Sequence, residues 1–208
     1  DARFMRTMPE YPVAPAHVHA TLSRHLLALG HTFVLDLERS HGPFVRDLAG
    51  DSLERTEPVA LRGLLEERVA SAQASGASRG ITVTLSAAQD ASVDGDALLL
   101  QRAVGNLLDN ALDFSPQGGA VEVTLTQRGR FAEISVRDHG PGIPDYADQK
   151  IFEKFYSLAR PGSQRKSTGL GLPFVREIAA LHQGRITLRN ADSGGALAVL
   201  SLPAEPPT

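Results

Sequence analysis

Helices layered on one face of a mixed, largely antiparallel sheet, an α+β arrangement, is the architecture to which this sequence points. One segment is strongly helical: Leu98, Leu99, Ala103, Val104, Leu107, Leu108, Ala111 and Leu112 recur at helical spacing. Two other stretches each contain a pair of segments that alternate with period two, the mark of half-buried strands in hairpins. Helical and strand patterns interleave in the order helix, strand, helix, strand, strand, loop, helix, strand, strand, which places both kinds of element around one core.

Each element has a local reason. Val59 to Ala77 reads as an amphipathic helix through Leu61, Leu64, Leu65 and Val69, and Ile81 to Leu85 alternates as a strand. Asp96 is placed to cap the long helix, and Ser115-Pro116 stops it. Ala120 to Gln127 and Phe131 to Asp138 form a hairpin across Arg128, Gly129 and Arg130. Between Gly140 and Gly171 the chain reads as irregular, with a turn of helix around Ile151 to Phe155. A helix from Pro173 to His182 ends at Gly184, and Ile186 to Asn190 with Ala196 to Leu202 makes a last hairpin. Upstream of Glu57-Pro58 the composition changes: Pro9, Pro12, Pro15 and Pro43 accompany five of the seven histidines and one short helix, His17 to Leu29. Residues 1–57 are therefore read as an extension and 58–204 as the main domain.

Composition excludes several functions. With 21 basic against 24 acidic side chains the chain carries a net −3, too little positive field to hold nucleic acid. The absence of cysteine removes disulfides, thiolate metal sites and a thiol nucleophile together. No stretch approaches the ~18 apolar residues of a spanning helix, so the sequence predicts a soluble chain.

Three groups of residues could carry chemistry. Asn106 and Asn110 lie four apart on one face of the long helix, away from the leucine stripe, and neutral carboxamide oxygens suit Mg²⁺ bound chiefly by water and phosphate. Taken alone, the pair is better explained as a solvated helix face. Asp138 falls in register with the buried side of its strand, just before the turn Gly140-Pro141-Gly142-Ile143. There it could accept backbone N–H groups or the exocyclic amine of adenine. Gly169-Leu170-Gly171-Leu172 leads into a helix whose first N–H groups could receive phosphate, and the preceding loop contributes Lys150, Lys154, Arg160, Arg165 and Lys166 against Glu153 alone. One nucleotide site accounts for all three groups at once.

The runs Asn106 to Asn110, Asp138 to Gly142, Phe152 to Phe155 and Gly169 to Leu172 resemble, in that order, the N, G1, F and G2 boxes of two-component sensor histidine kinases, over Pro58 to Leu202. Asn110 to Pro116 and Phe155 to Pro161 are similar to the carbon-source-responsive members. The resemblance implies a Bergerat-type α/β sandwich that binds ATP and Mg²⁺ and donates the γ-phosphoryl group to a histidine on a helical dimerisation domain. It implies Asn110 as metal ligand with Asn106 assisting, and Asp138 as reader of adenine. Phe114, Gly140, Gly142, Ile143 and Phe155 would lie around the nucleotide, with Gly169, Leu170, Gly171 and Leu172 at the phosphates. Residues 156–168 would be a lid whose Arg165 and Lys166 reach phosphate. Asp113 departs from the pattern, since many relatives carry a Lys there.

The gyrase, Hsp90 and MutL ATPases share the fold but place a Glu four residues before the metal Asn, as general base. Asn106 cannot take a proton, which favours transfer to a side chain over hydrolysis. The family also implies a response-regulator receiver domain as partner, a homodimeric full-length kinase and a cytoplasmic position beneath a bacterial inner membrane. No histidine here stands in the phosphoacceptor context of that family, and residues 13–53 are somewhat similar to the N-terminal arm of class III aminotransferases such as lysine 6-aminotransferase. The alternatives are a non-catalytic nucleotide-binding or interaction module of the same fold, or an aminotransferase fragment.

Overall fold

The computed structural model describes residues 53, 56–147, 150–158 and 168–204. The chain divides into two units, and the first, Asp1–Leu48, lies outside the described residues, as do the expected helix His17 to Leu29 and, but for Leu53, the segment 13–53. In chain order the elements are β1 (Glu57–Ala60), α1 (Leu61–Gly76), β2 (Thr82–Ala87), β3 (Ser92–Gly95), α2 (Ala97–Phe114), β4 (Ala120–Arg128), β5 (Phe131–Asp138), α3 (Gly171–Leu181), β6 (Arg185–Asn190) and β7 (Ala196–Pro203).

A five-stranded sheet in the order β2-β4-β5-β7-β6 carries the helices on one face. The β2–β4 pair is parallel and the other three are antiparallel, so the expected mixed sheet is present. Inward residues of the strands, Val83, Val121, Val123, Ile134, Val136 and Leu200, meet Leu61, Leu65, Leu100, Leu107, Leu108 and Ile178 from the helices in one buried core. Burying each such side chain contributes about 1.5–3 kcal/mol, and this burial holds helices to sheet.

The long helix behaves as its sequence demands. The Asp96 side chain accepts from the Leu99 N–H at 3.0 Å, and the Ser115 N–H and hydroxyl both turn back to the Ala111 carbonyl before Pro116. Gly129, at φ +59°, takes the left-handed position of the two-residue β4–β5 turn.

Three expectations change. Val59 belongs to β1, which pairs with β3 in a separate two-stranded sheet, so α1 starts at Leu61. The segment around Ile151 to Phe155 forms hydrogen-bonded turns, with Ile151 N–H to the Ala147 carbonyl at 3.0 Å, and the 3₁₀ turn lies earlier, at Asp145–Ala147. Helix α3 begins at Gly171 rather than Pro173; proline in the first turn forfeits no helical hydrogen bond, so the helix extends back through it.

Candidate functional site

A pocket opens where the end of β5, one side of α2 and the start of α3 converge, and each wall brings a different chemistry. From α2 come Leu107, Asn110, Ala111 and Phe114; from the sheet Val136, Asp138, Leu188 and Ala198; from the connecting segments Ile143, Ile151, Tyr156 and Leu158. The walls are largely apolar, as suits a flat ring, with polar groups at the two ends.

Asp138 is only 7% exposed, and among the described residues its side-chain hydrogen bonds fall on Oδ1, from Gly140 N–H at 2.8 Å and Ala196 N–H at 3.2 Å. The β5–β7 ladder runs to Arg137 and Leu197, and beyond them the carboxylate takes over from the backbone. Oδ2 is left for the pocket as an acceptor, so the carboxylate has both the structural and the ligand-directed capacity that its position in the sequence suggests.

The glycine turn after Asp138 is pinned from the far edge of the sheet. Asn190 accepts from Ile143 N–H at 2.6 Å and donates to the Ile143 carbonyl at 2.9 Å, so one side-chain amide substitutes for a strand. Gly140 abuts the Phe114 carbonyl, where a Cβ would sit 2.4 Å away. Gly140 thus closes the turn against the end of α2, and Gly142 and Ile143 line the pocket.

At the opposite end, α3 begins with no side-chain cap: Leu170 precedes it, and the Gly171 and Leu172 N–H groups precede the first helical bond, Phe174 N–H to the Leu170 carbonyl. Uncapped donors and the positive end of the helix form a receptor for anions. A Cβ on Gly171 would lie 3.6 Å from Asn106 Oδ1 and 3.7 Å from Asn110 Nδ2. The two amides therefore flank the uncapped helix start. Both are half-buried there, which corrects the solvated helix face: α3 covers it.

Of the sequence-predicted residues, Asn110, Phe114, Asp138, Gly142, Ile143, Gly169, Gly171 and Leu172 line the pocket, and Asn106 stands beside it. Phe155 does not. It is 55% exposed with φ +66°, and its N–H donates to the Gly169 carbonyl at 3.0 Å. A Cβ on Gly169 would come within 2.6 Å of the Phe155 carbonyl carbon, so this glycine is dictated by the crossing of two backbones. Gly140 and Leu170 do not line the pocket, and Arg165 and Lys166 lie outside the described residues. Tyr156, Leu158 and Asn190 were not anticipated; the first two follow the Phe-box in sequence, while nothing local marks Asn190. Among the described residues no three His, Asp or Glu side chains cluster as a metal site, and no helix is long and apolar enough to cross a membrane.

Residues 95–206 match the family described as histidine kinase-, DNA gyrase B-, and HSP90-like ATPase. Over 113 residues the chain is 49% identical to the sensor protein CreC of Escherichia coli, a match covering 54% of this chain and 24% of CreC. It is 30% identical over 207 residues to the sensor-like histidine kinase SenX3 of Mycolicibacterium smegmatis, covering 99% of this chain and 50% of SenX3. The chain thus spans about half the length of SenX3 and less of CreC. Among solved structures, the mycobacterial sensor histidine kinase MprB superposes with a TM-score of 0.64 at 30% identity, over 74% of this chain and all of that one.

Proposed function

Given that the chain belongs to the histidine kinase-, DNA gyrase B- and HSP90-like ATPase family, we propose that it binds ATP with Mg²⁺ and donates the γ-phosphoryl group to a histidine of a helical dimerisation domain. The observation that carries this reading is the amide at position 106. Beside the uncapped start of α3, where the transferred phosphoryl group would lie, the chain offers the amides of Asn106 and Asn110, so the position four residues before Asn110 holds an amide and not a carboxylate. An amide cannot accept a proton from water, so the site orients phosphate without activating a hydrolytic nucleophile.

In this reading Asp138 Oδ2 accepts from the adenine amine, the apolar walls sandwich the ring, and the Gly171 and Leu172 N–H groups hold phosphate. The donor set fits a hard cation: neutral amide oxygens at the edge of a phosphate site leave the remaining positions to phosphate and water. Mg²⁺, when bound, would neutralise phosphate charge. Arg165 and Lys166 add charge from the lid, offsetting the Lys that Asp113 replaces. The acceptor histidine comes from a separate helical hairpin, since none of the seven histidines here stands in the phosphoacceptor context. The alignment with SenX3 over nearly the whole chain supports residues 1–57 as part of the kinase rather than an aminotransferase fragment. The same reading places the parent protein at a bacterial inner membrane as a homodimer, partnered by a response-regulator receiver domain, in the carbon-source-responsive subgroup.

The test measures ATP affinity with and without Mg²⁺, then phosphotransfer to an added histidine-bearing hairpin domain. Mg²⁺-dependent binding with transfer is the expected result. Binding without transfer to any hairpin leaves a nucleotide-binding module, and no binding removes both readings.

A further inference from the structure

The sheet has two edges, and among the described residues only one has its backbone covered along its length. At β2, α1 covers the open backbone: Gln73 Nε2 donates to the Val83 carbonyl at 2.8 Å and Arg62 Nη2 to the Ala87 carbonyl at 2.8 Å. At the other edge, β6 pairs with β7 alone; its last residue, Asn190, holds the Ile143 backbone through its side chain, and among the described residues the only hydrogen bond to the backbone of β6 from outside the ladder is a long 3.4 Å reach from Arg189 to the adjacent Asn190 carbonyl. A row of unsatisfied N–H and C=O groups is a template for another strand.

Charge on this edge is one-signed. Alternation puts Arg185, Thr187 and Arg189 on the face away from the helices, all three exposed. Arg185 sits 6.0 Å from the centre of the Phe131 ring, and Arg130, in the two-residue β4–β5 turn and with its carbonyl accepting from Ala204 N–H at 2.9 Å, sits 5.4 Å from the same ring. The carboxylates on this face are engaged elsewhere: Glu133 with Arg128, and Glu122 with Arg137 and His139. Among the described residues Arg130, Arg185 and Arg189 have no ion-pair partner, in a chain whose net charge is negative. Phe131 lies about 24 Å along β5 from Asp138, at ~3.4 Å per residue, so the Arg130–Arg185 pair is no part of the phosphate site.

We propose that the outer edge of β6, with Arg185, Arg189 and the Arg130–Phe131 platform, is a docking surface for an extended acidic segment of a partner protein, added as a sixth strand. Backbone pairing holds the segment, and carboxylates four residues apart on one face meet Arg185 and Arg189, whose guanidinium forks suit bidentate carboxylate recognition. Arginines placed merely to guard an edge against aggregation would bind no such strand.

The test uses the whole chain and a fluorescent peptide of alternating threonine and valine with two glutamates four residues apart. The expected result is saturable binding, protection of β6 amides from hydrogen exchange, and a Kd raised roughly tenfold or more by Arg185→Glu with Arg189→Glu, each tenfold being about 1.4 kcal/mol. Arg185→Gln with Arg189→Gln repeats the measurement should charge reversal disturb folding, and an unchanged melting temperature certifies the fold. The idea is overturned by no binding, by equal binding of the lysine counterpart, by binding that leaves β6 amides unprotected, or by preference for phosphatidylserine vesicles over the peptide.

Discussion

Asp138 divides its two oxygens between fold and pocket, which makes it testable by a single atom. In Asp138→Asn the amide oxygen can still accept from Gly140 and Ala196, so the fold should survive with a melting temperature close to the parent's. The second position becomes a donor and repels the adenine amine. ATP affinity should fall at least about tenfold, a loss of roughly 1.4 kcal/mol or more, read by calorimetry. Asn110→Ala should remove the Mg²⁺ dependence of nucleotide binding without unfolding the chain, because the side chain lines the pocket and supports no core contact. ATP affinity that still responds to Mg²⁺ in this variant would contradict the metal assignment.

His182 makes a different residue-scale prediction. Its Nδ1–H donates to the Ile178 carbonyl at 2.8 Å and its Nε2 accepts from Asp96 N–H at 3.0 Å, so the neutral ring joins the end of α3 to the cap of α2. Burial pushes its pKa below the ordinary value, outweighing the raising effects of the Ile178 carbonyl and the Asp96 charge. As pH falls below about 6.5 the unfolded chain takes up a proton that the folded chain refuses, so this contribution, complete above that pH, is lost on acidification toward the folded-state pKa. Urea midpoints between neutral and mildly acidic pH should drop less in His182→Gln than in the parent.

At the scale of elements, substitutions separate glycines that the fold needs from those it does not. Nothing lies within 4 Å of a Cβ built on Gly105, in the middle of α2, so Gly105→Ala should stabilise the chain by about 0.5–1 kcal/mol through helix propensity alone. Gly169→Ala, at φ +67° and against the Phe155 backbone, should instead lower the melting temperature and weaken nucleotide binding together. Thermal melts with calorimetric titration check both. Elements with long repeats, such as α2 and the β4–β5 hairpin, were legible because many positions agree on one period. The four-residue strands β1 and β3 were not, since each acquires its identity only by pairing with the other. Asn106, Asn110 and Asp138 announced themselves by residue type and register. Asn190 could not, because its role depends on Ile143, brought beside it only by the closed sheet.

For the whole molecule, the pocket draws walls from α2, β5, β7 and α3, so ligand should stabilise the domain as one unit. An ATP analogue with Mg²⁺ at a hundredfold over its Kd should add about 2.7 kcal/mol to the unfolding free energy, and adenosine at the same concentration much less, since it lacks the phosphates that α3 is proposed to receive. Equal shifts in melting temperature from both ligands would show that the uncapped helix start takes no part.

The union of β5 with β7 also sets an order in time. The β4–β5 and β6–β7 hairpins close locally, whereas Arg137 meets Leu197 across some sixty residues of chain, a closure that comes later and folds more slowly. The Asp138–Ala196 bond exists only after that closure. A polypeptide emerging from the ribosome would thus carry Asn106, Asn110, Asp138 and Gly171 in full and still be unable to grip a nucleotide until β7 had followed. Chains released just short of Ala196 should show the same blindness.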